Sequence, residues 1–436
     1  MVQIADDLCD ASSAIGRFRE LQSLQNARAI MNFRSSSMPF EPSSKQSFSD
    51  LHAAAEAPIT TDLFGRSEDE LRAWVVERKE PAFRGSQIYH ALYAERRTDF
   101  ASMTNLPAAF RARLEREARI GLPEIARRYQ SADGSVRYLL ALPENAAASS
   151  GRAVSNARVE TVFMPSDGRQ TICISTQAGC AVDCHFCLTA QLGLIRNLTA
   201  GEIVGEVLMA LEDQRVALGQ AGEDLAPRTN VVLMGQGEPL LNYEPVMAAV
   251  RIMLDPKGLG LAARHVTLST SGIVPGIDRL AQEKIRPNLA ISLNASSDEQ
   301  RDAIMPINRK YPLAMLLDAC RRYPLGPRGY ITFEYVLLGG FNDTTDDARR
   351  VAKLLNGLPA KVNLIPWNPG ELPYRAPEAE RVDEFRSVLL EKGILAFVRY
   401  SRGRDISAAC GQLALIETSS LAAPIASASS PSSPSA

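Results

Sequence analysis

The sequence predicts an α/β protein, a parallel sheet curled into a full or partial barrel behind a small helical segment. Two observations carry this. Short β-rich runs recur from Thr171 onward, at 171–176, 230–234, 265–269, 288–293, 330–336 and 361–365. Between them lie apolar residues at helical spacing, such as Val246, Val250 and Met253, or Ala348, Val351, Leu354 and Leu355. Repeated strand–helix units build a parallel sheet. Right-handed crossovers curl it and leave the active site at the C-terminal strand ends.

The totals bound the class. A chain of 436 residues has room for a large catalytic domain and a smaller one. It is 45% hydrophobic and 22% charged, with no apolar run long enough to cross a bilayer, so no membrane is expected. The net charge of −2 gives no global positive field that would advertise a nucleic-acid partner, so any such contact would have to come from local patches. Clustered cysteines imply a reducing compartment, the cytoplasm. Asp6, Asp7 and Asp10, with no apolar core segment, argue against a secretory signal.

Taken in order, residues 1–58 are rich in serine and alanine and read as a disordered leader. Met31 and Met38 offer later starts, and Cys9 is a bystander. Residues 59–128 read as a helical domain. Ser67-Glu68-Asp69-Glu70 has the form of a capping box, with Leu71, Trp74 and Val75 following at helical spacing. Pro81 stops that helix. A second starts at Arg84 and buries Ile88, Leu92 and Tyr93; Pro107 opens a third. Its Arg111, Arg113, Arg116 and Arg119 suit a solvated face and an RNA-contacting face equally. Residues 129–165 link the domains through a hairpin turned at Asp133-Gly134, a loop insertion over 144–157 and an alternating strand, 158–165, that carries Glu160. The catalytic domain is expected over 166–415, and 416–436 as a disordered tail.

The chemistry concentrates in Gly179-Cys180-Ala181-Val182-Asp183-Cys184-His185-Phe186-Cys187. Iron–sulfur clusters are normally held by four cysteines, so three on one loop suggest a cluster with an open iron. A structural zinc site with Cys173 or His185 as fourth ligand is the alternative, although zinc ligands usually come as two separated pairs. A disulfide framework suits neither the odd count of seven cysteines nor their crowding. Thr199-Ala200-Gly201-Glu202 is a second capping box, heading the helix that leaves this loop.

The C-x3-C-x2-C loop resembles that of radical S-adenosylmethionine (SAM) enzymes. With Gly193 and Arg196-Asn197-Leu198-Thr199-Ala200-Gly201-Glu202-Ile203 it is similar to the RlmN/Cfr branch, the RNA adenine methyltransferases, and nearer to RlmN. The resemblance implies an open (β/α)6 barrel, an RNA-binding accessory domain over 59–128, a [4Fe-4S] cluster on Cys180, Cys184 and Cys187, and two SAM molecules per turnover. Gly237 and Glu238, in Gly235-Gln236-Gly237-Glu238-Pro239, fall where the family holds the methionyl amino group. Ser269, Ser292, Leu293, Asn294 and Asn368 fall at its other cofactor contacts; alone, each would read as ordinary loop hydrogen bonding. The phrase Asp405-Ile406-Ser407-Ala408-Ala409-Cys410-Gly411-Gln412-Leu413 puts Cys410 at the family's methylated cysteine. Cys173 matches its partner thiol and Glu160 its proton acceptor. Cys320 reads as a small buried hydrophobe. Leu188, Gln236 and Asn294 depart from the family pattern.

The implied reaction methylates carbon 2 of adenine in 23S rRNA and tRNA. That carbon is electrophilic, so radical chemistry from the cofactor is needed. One SAM methylates Cys410, and a second is cleaved to a radical that takes hydrogen from the new methyl group. The methylene adds to an unstacked base and Glu160 removes the ring proton. Cys173 attacks the Cys410 sulfur, leaving a disulfide that a flavodoxin- or ferredoxin-type donor reduces. Arg399, Arg402 and Arg404 are placed to clamp phosphates, and a monomer is expected. A Cfr-type enzyme acting at carbon 8 would keep the same thiols and cluster. A non-catalytic zinc-bearing RNA-binding protein would leave the Cys173/Cys410 pair unexplained.

Overall fold

The computed structural model describes residues 61–143, 157–166, 168–217, 229–327, 329–370, 372–408, 411 and 413. The leader, most of the 144–157 insertion, the tail and Cys410 lie outside the described residues.

The chain begins with β1 (Thr61–Asp62), which pairs in parallel with β2 (Ala118–Arg119) around three helices, Glu68–Glu77, Phe83–Tyr93 and Ala108–Glu117. The first opens on the predicted capping box, with both reciprocal bonds between Ser67 and Glu70 made. Pro107 stands immediately before the third, as predicted, and makes no side-chain capping bond. In that helix Arg113 pairs with Glu117 at 2.7 Å, and Arg119 beyond it reaches Asp62 at 3.4 Å.

The main sheet has ten strands. Three are antiparallel: β3 (Glu124–Gln130), β4 (Val136–Ala141) and β5 (Arg158–Ser166). The hairpin β3–β4 turns where predicted, with Gly134 at φ +84°, but β3 starts five residues before the expected Tyr129. Then come β6 (Arg169–Ile174), β9 (Thr229–Leu233), β10 (Val266–Thr270), β11 (Asn288–Ser292), β12 (Ile331–Leu337), β13 (Ala360–Pro366) and β14 (Leu395–Val398), all parallel. The spatial order is β14-β13-β12-β11-β10-β9-β6-β5-β4-β3, an open sheet. The six predicted parallel strands are all present, and β14 adds a seventh at the edge. A separate hairpin of β7 (Gln177–Gly179) and β8 (Leu194–Asn197) closes the base of the cysteine loop.

Alternation assigns each strand two faces. Tyr138, Val159, Phe163, Ile172, Ile174, Val231 and Leu233 bury one face in the main core, which the helices cover. The other face carries Leu139, Val162 and Cys173, packed against Ile406, Ala408 and Leu413 of the C-terminal segment. Cys320 is buried in the main core.

Candidate active site

A cavity opens at the C-terminal strand ends, where the active sites of such sheets lie. Its lining includes Cys180, Cys184 and Cys187 from the loop, Gly237 and Glu238 after β9, Ser269 on β10, Ser292 and Asn294 at β11, and Asn368 after β13. Nine of the predicted cofactor and cluster residues therefore share one cavity. Leu293 does not line it; its side chain is in the main core, and its backbone bonds to Glu334 and Arg301.

The loop is held from several sides. Cys180 N donates to Gly193 O at 3.0 Å and His185 N to Ile304 O at 2.9 Å. Leu188 N donates to Gly411 O at 2.7 Å, and Thr189 Oγ1 to Leu413 O at 2.6 Å, tying the cysteine loop to the C-terminal segment. Burial pushes the Cys180 thiol up to about 12 and raises Cys184 and Cys187 as well. Such thiols become thiolates only beside a cation, as iron would supply. Among the described residues no three His, Cys, Asp or Glu side chains converge on a single metal ion. Neither candidate for a fourth zinc ligand joins the loop cysteines: His185 Nδ1 lies 2.8 Å from Ala303 O, and Cys173 packs in a separate cluster with Val162, Ala408 and Leu413. A four-iron cube takes each thiolate on a different iron and suits three cysteines spread along a cavity wall.

The opposite wall suits an amino acid. Gly237 has φ +100°, and a Cβ there would stand 2.6 Å from Gln177 Cβ, so only glycine fits. Glu238 is buried and raised by burial, its oxygens accepting Leu240 N at 3.0 Å and Ser271 N at 2.7 Å. An ammonium group arriving there would favour its charged form. Asn368 Oδ1 and Trp367 Nε1, both buried, have no hydrogen-bond partner among the described residues, so the wall retains polar capacity for a ligand.

Glu160 and Cys173 lie on the open-barrel side of the sheet. Val162 pairs with Cys173, and Glu160 shares Val162's face two residues along β5. Glu160 forms an ion pair with Arg137, each side chain only 1% exposed. Its Oε2 also lies 3.5 Å from Gln236 Nε2, and its carbonyl accepts from Ser175 Oγ at 2.9 Å. Ser175 is fixed in turn by Glu206, which accepts its N–H at 2.9 Å. Cys410 is outside the described residues; of its neighbours, Ala408 packs with Cys173 and Gly411 lines the cavity.

Residues 174–355 match the radical SAM superfamily, and 61–120 match the ribosomal RNA large subunit methyltransferase N-terminal domain. The dual-specificity RNA methyltransferase RlmN of Anaeromyxobacter dehalogenans is 46% identical over 357 residues, covering 81% of this chain and 92% of the relative. The chain belongs to the RlmN family of radical SAM RNA methyltransferases. The probable RlmN of Koribacter versatilis is also 46% identical, over 77% of this chain and 96% of its own. A radical SAM methyltransferase structure from Sphaerobacter thermophilus superposes with a TM-score of 0.72 at 42% identity, covering 81% of this chain and 99% of that one. Membership implies a [4Fe-4S] cluster, SAM and an RNA substrate. Among the described residues no helix is long and apolar enough to cross a membrane.

Sequence reasoning missed three residues here. Arg137 needed the β4–β5 register to be seen. Arg301, fully buried, donates to Ser271 O at 2.6 Å, Ser292 O at 3.1 Å and Leu293 O at 3.1 Å, and so ties the ends of β10 and β11 together. Glu334 on β12 lines the cavity 7% exposed, beside Ser292 in register. Its Oε1 accepts Asn363 Nδ2 at 2.9 Å, and its other oxygen takes no hydrogen bond from a described residue.

Proposed function

We propose that this protein methylates carbon 2 of adenine in 23S rRNA and tRNA, in the cytoplasm, by way of a methylated Cys410. Cys180, Cys184 and Cys187 would hold the cluster, and Glu238 the methionyl ammonium of SAM, with Gly237, Ser269, Ser292, Leu293, Asn294 and Asn368 around the rest of that cofactor. When bound, cluster and SAM supply the methyl group and the radical that an electrophilic carbon requires, two SAM molecules per turnover. Cys410 carries the one-carbon unit to the base. Glu160 takes the ring proton; Arg137 aligns its carboxylate, and Gln236 approaches the second oxygen. The Cys173 thiolate then attacks the Cys410 sulfur, releasing RNA and forming a disulfide. Two electrons from a flavodoxin- or ferredoxin-type donor reopen it. The protein acts as a monomer in this reading.

The observation that carries this reading is the meeting of three elements: Cys173 packs against Ala408 and Leu413, while Gly411 of the same segment lines the cavity that the three loop cysteines share. The test is anaerobic turnover of the reconstituted protein with labelled SAM, reductant and an adenine-containing RNA, beside Cys410→Ala. Mass spectrometry of the digested RNA should place the methyl on carbon 2 and find none with the variant. Methyl on carbon 8 would assign the Cfr-type reaction, and methylation surviving Cys410→Ala would overturn the mechanism.

A further inference from the structure

Beyond β14 the chain reads Phe397-Val398-Arg399-Tyr400-Ser401-Arg402-Gly403-Arg404. Five of these side chains are exposed: Phe397, Arg399, Tyr400, Arg402 and Arg404, with Tyr400 64% and Phe397 43% accessible. Single open rings are ordinary on a protein surface, but two of them three residues apart on one strip form an exposed patch of the kind that marks an interaction site. Each carries a guanidinium: Arg399 lies 5.5 Å from the Phe397 ring centre and Arg404 6.0 Å from that of Tyr400. Among the described residues none of the three arginines forms an ion pair with a carboxylate. Asp405 and Asp133, the acids beside them, are engaged elsewhere, by Ser131 Oγ at 2.6 Å and Gly403 N at 3.0 Å.

The strip is anchored at the cavity. Asn368, which lines it, donates to Ser401 Oγ at 2.7 Å, and Arg399 Nε lies 3.2 Å from Asn363 Oδ1, the residue that holds Glu334. From there it crosses to β5, where Arg402 donates to Pro165 O, and it leads into the segment that bears Cys410. Alternating cations and open rings beside a cavity fit one class of partner, a single-stranded nucleic acid with phosphates for the arginines and unpaired bases for the rings.

We propose that the strip Phe397–Arg404 holds the unpaired RNA adjoining the target adenine, Tyr400 and Phe397 stacking on its bases and Arg399, Arg402 and Arg404 taking its phosphates. The inference rests on the RNA-methyltransferase reading and adds the residues that hold the substrate strand. With the net charge at −2, this local strip supplies an attraction that the molecule as a whole lacks.

The test is fluorescence anisotropy of a labelled single-stranded, adenine-containing RNA against the full chain over a series of salt concentrations. Tyr400→Ala should weaken binding about tenfold and leave the salt slope unchanged, while Tyr400→Trp should restore it. Each of Arg399→Gln, Arg402→Gln and Arg404→Gln should reduce the salt slope by about 0.7. Wild-type affinity in Tyr400→Ala overturns the proposal, as does an unchanged slope in all three arginine variants. So does a Tyr400→Ala protein that keeps its RNA but loses reduction by an acidic flavodoxin-type donor, which would make the strip a protein-docking surface. If the wild type itself binds no RNA, the parent reading fails instead.

Discussion

Glu334 shows what burial does to a carboxylate in this cavity. Burial pushes its carboxyl from the ordinary 4.5 up to about 7, with Asn363, Arg399 and Lys361 opposing the shift. An acid raised in the folded state keeps a proton there that the unfolded chain has already released. Stability therefore falls as pH rises from about 4.5 to 7. Glu334→Gln removes that loss. Its melting temperature, followed by differential scanning fluorimetry between pH 5 and 8, should gain on the wild type as pH rises, by the equivalent of about 3 kcal/mol at the upper end. Parallel curves would mean that the charged carboxylate is as well stabilised as the neutral one. Nothing in the sequence singles Glu334 out, since its surroundings come from β11 and β13. The same holds for Arg137, whose partner is 23 residues away across a strand pair. Glu238 and the loop cysteines were legible because each sits in a short contiguous motif, although the groups that hold them in place, such as Ser271, Ile304 and Gly411, come from far along the chain.

At the scale of elements, local signals transferred well and edges did not. Both predicted capping boxes form, since each needs only four consecutive residues. The strands β3 and β14 escaped or were trimmed because they lie at the two edges of the sheet, where one side meets solvent and polar residues such as Arg127 and Arg128 are tolerated. The box at Thr199 does more than start a helix. Glu202, almost fully buried, accepts Thr199 N at 2.8 Å and holds Arg196 of β8 through two bonds of 2.8 and 2.7 Å. β8 closes the hairpin at the base of the cysteine loop, so one carboxylate secures both the helix and the loop. Thr199→Ala should cost about 1 kcal/mol, the usual loss of a cap, and leave iron uptake intact. Glu202→Gln should cost about 3 kcal/mol, because it strands a largely buried arginine, and should lower the iron retained after reconstitution and desalting. Equal iron retention in both variants would show that the loop does not depend on this anchor.

The described residues belong to one compact unit, so the helical layer from residue 61 onward packs directly on the catalytic sheet's helices. The contact is unusually close at three glycines. A Cβ on Gly65 would stand 2.3 Å from Gly201 N, one on Gly201 would stand 2.7 Å from Phe64 O, and one on Gly205 would stand 2.4 Å from Pro123 Cδ. Gly201 and Gly205 lie in the helix Ala200–Ala217, which leaves the cysteine loop, so the layer rests on the element that anchors the cluster site. Tyr89 adds a bond to Asp255 at 2.9 Å across the same boundary; the exposed Lys257–Glu68 pair contributes little. None of this was visible in the sequence, where Gly201 read only as part of a capping box. Gly201→Val puts a side chain against backbone that cannot turn aside, and overpacking of this kind costs about 1–3 kcal/mol. The strain falls on the contact between layer and barrel and spares the interior of either. Hydrogen exchange should therefore speed up in the helices Glu68–Glu77 and Phe83–Tyr93 while β9 to β13 stay protected. A uniform rise in exchange would mean that the layer and the barrel unfold only together, and that this contact is part of the core.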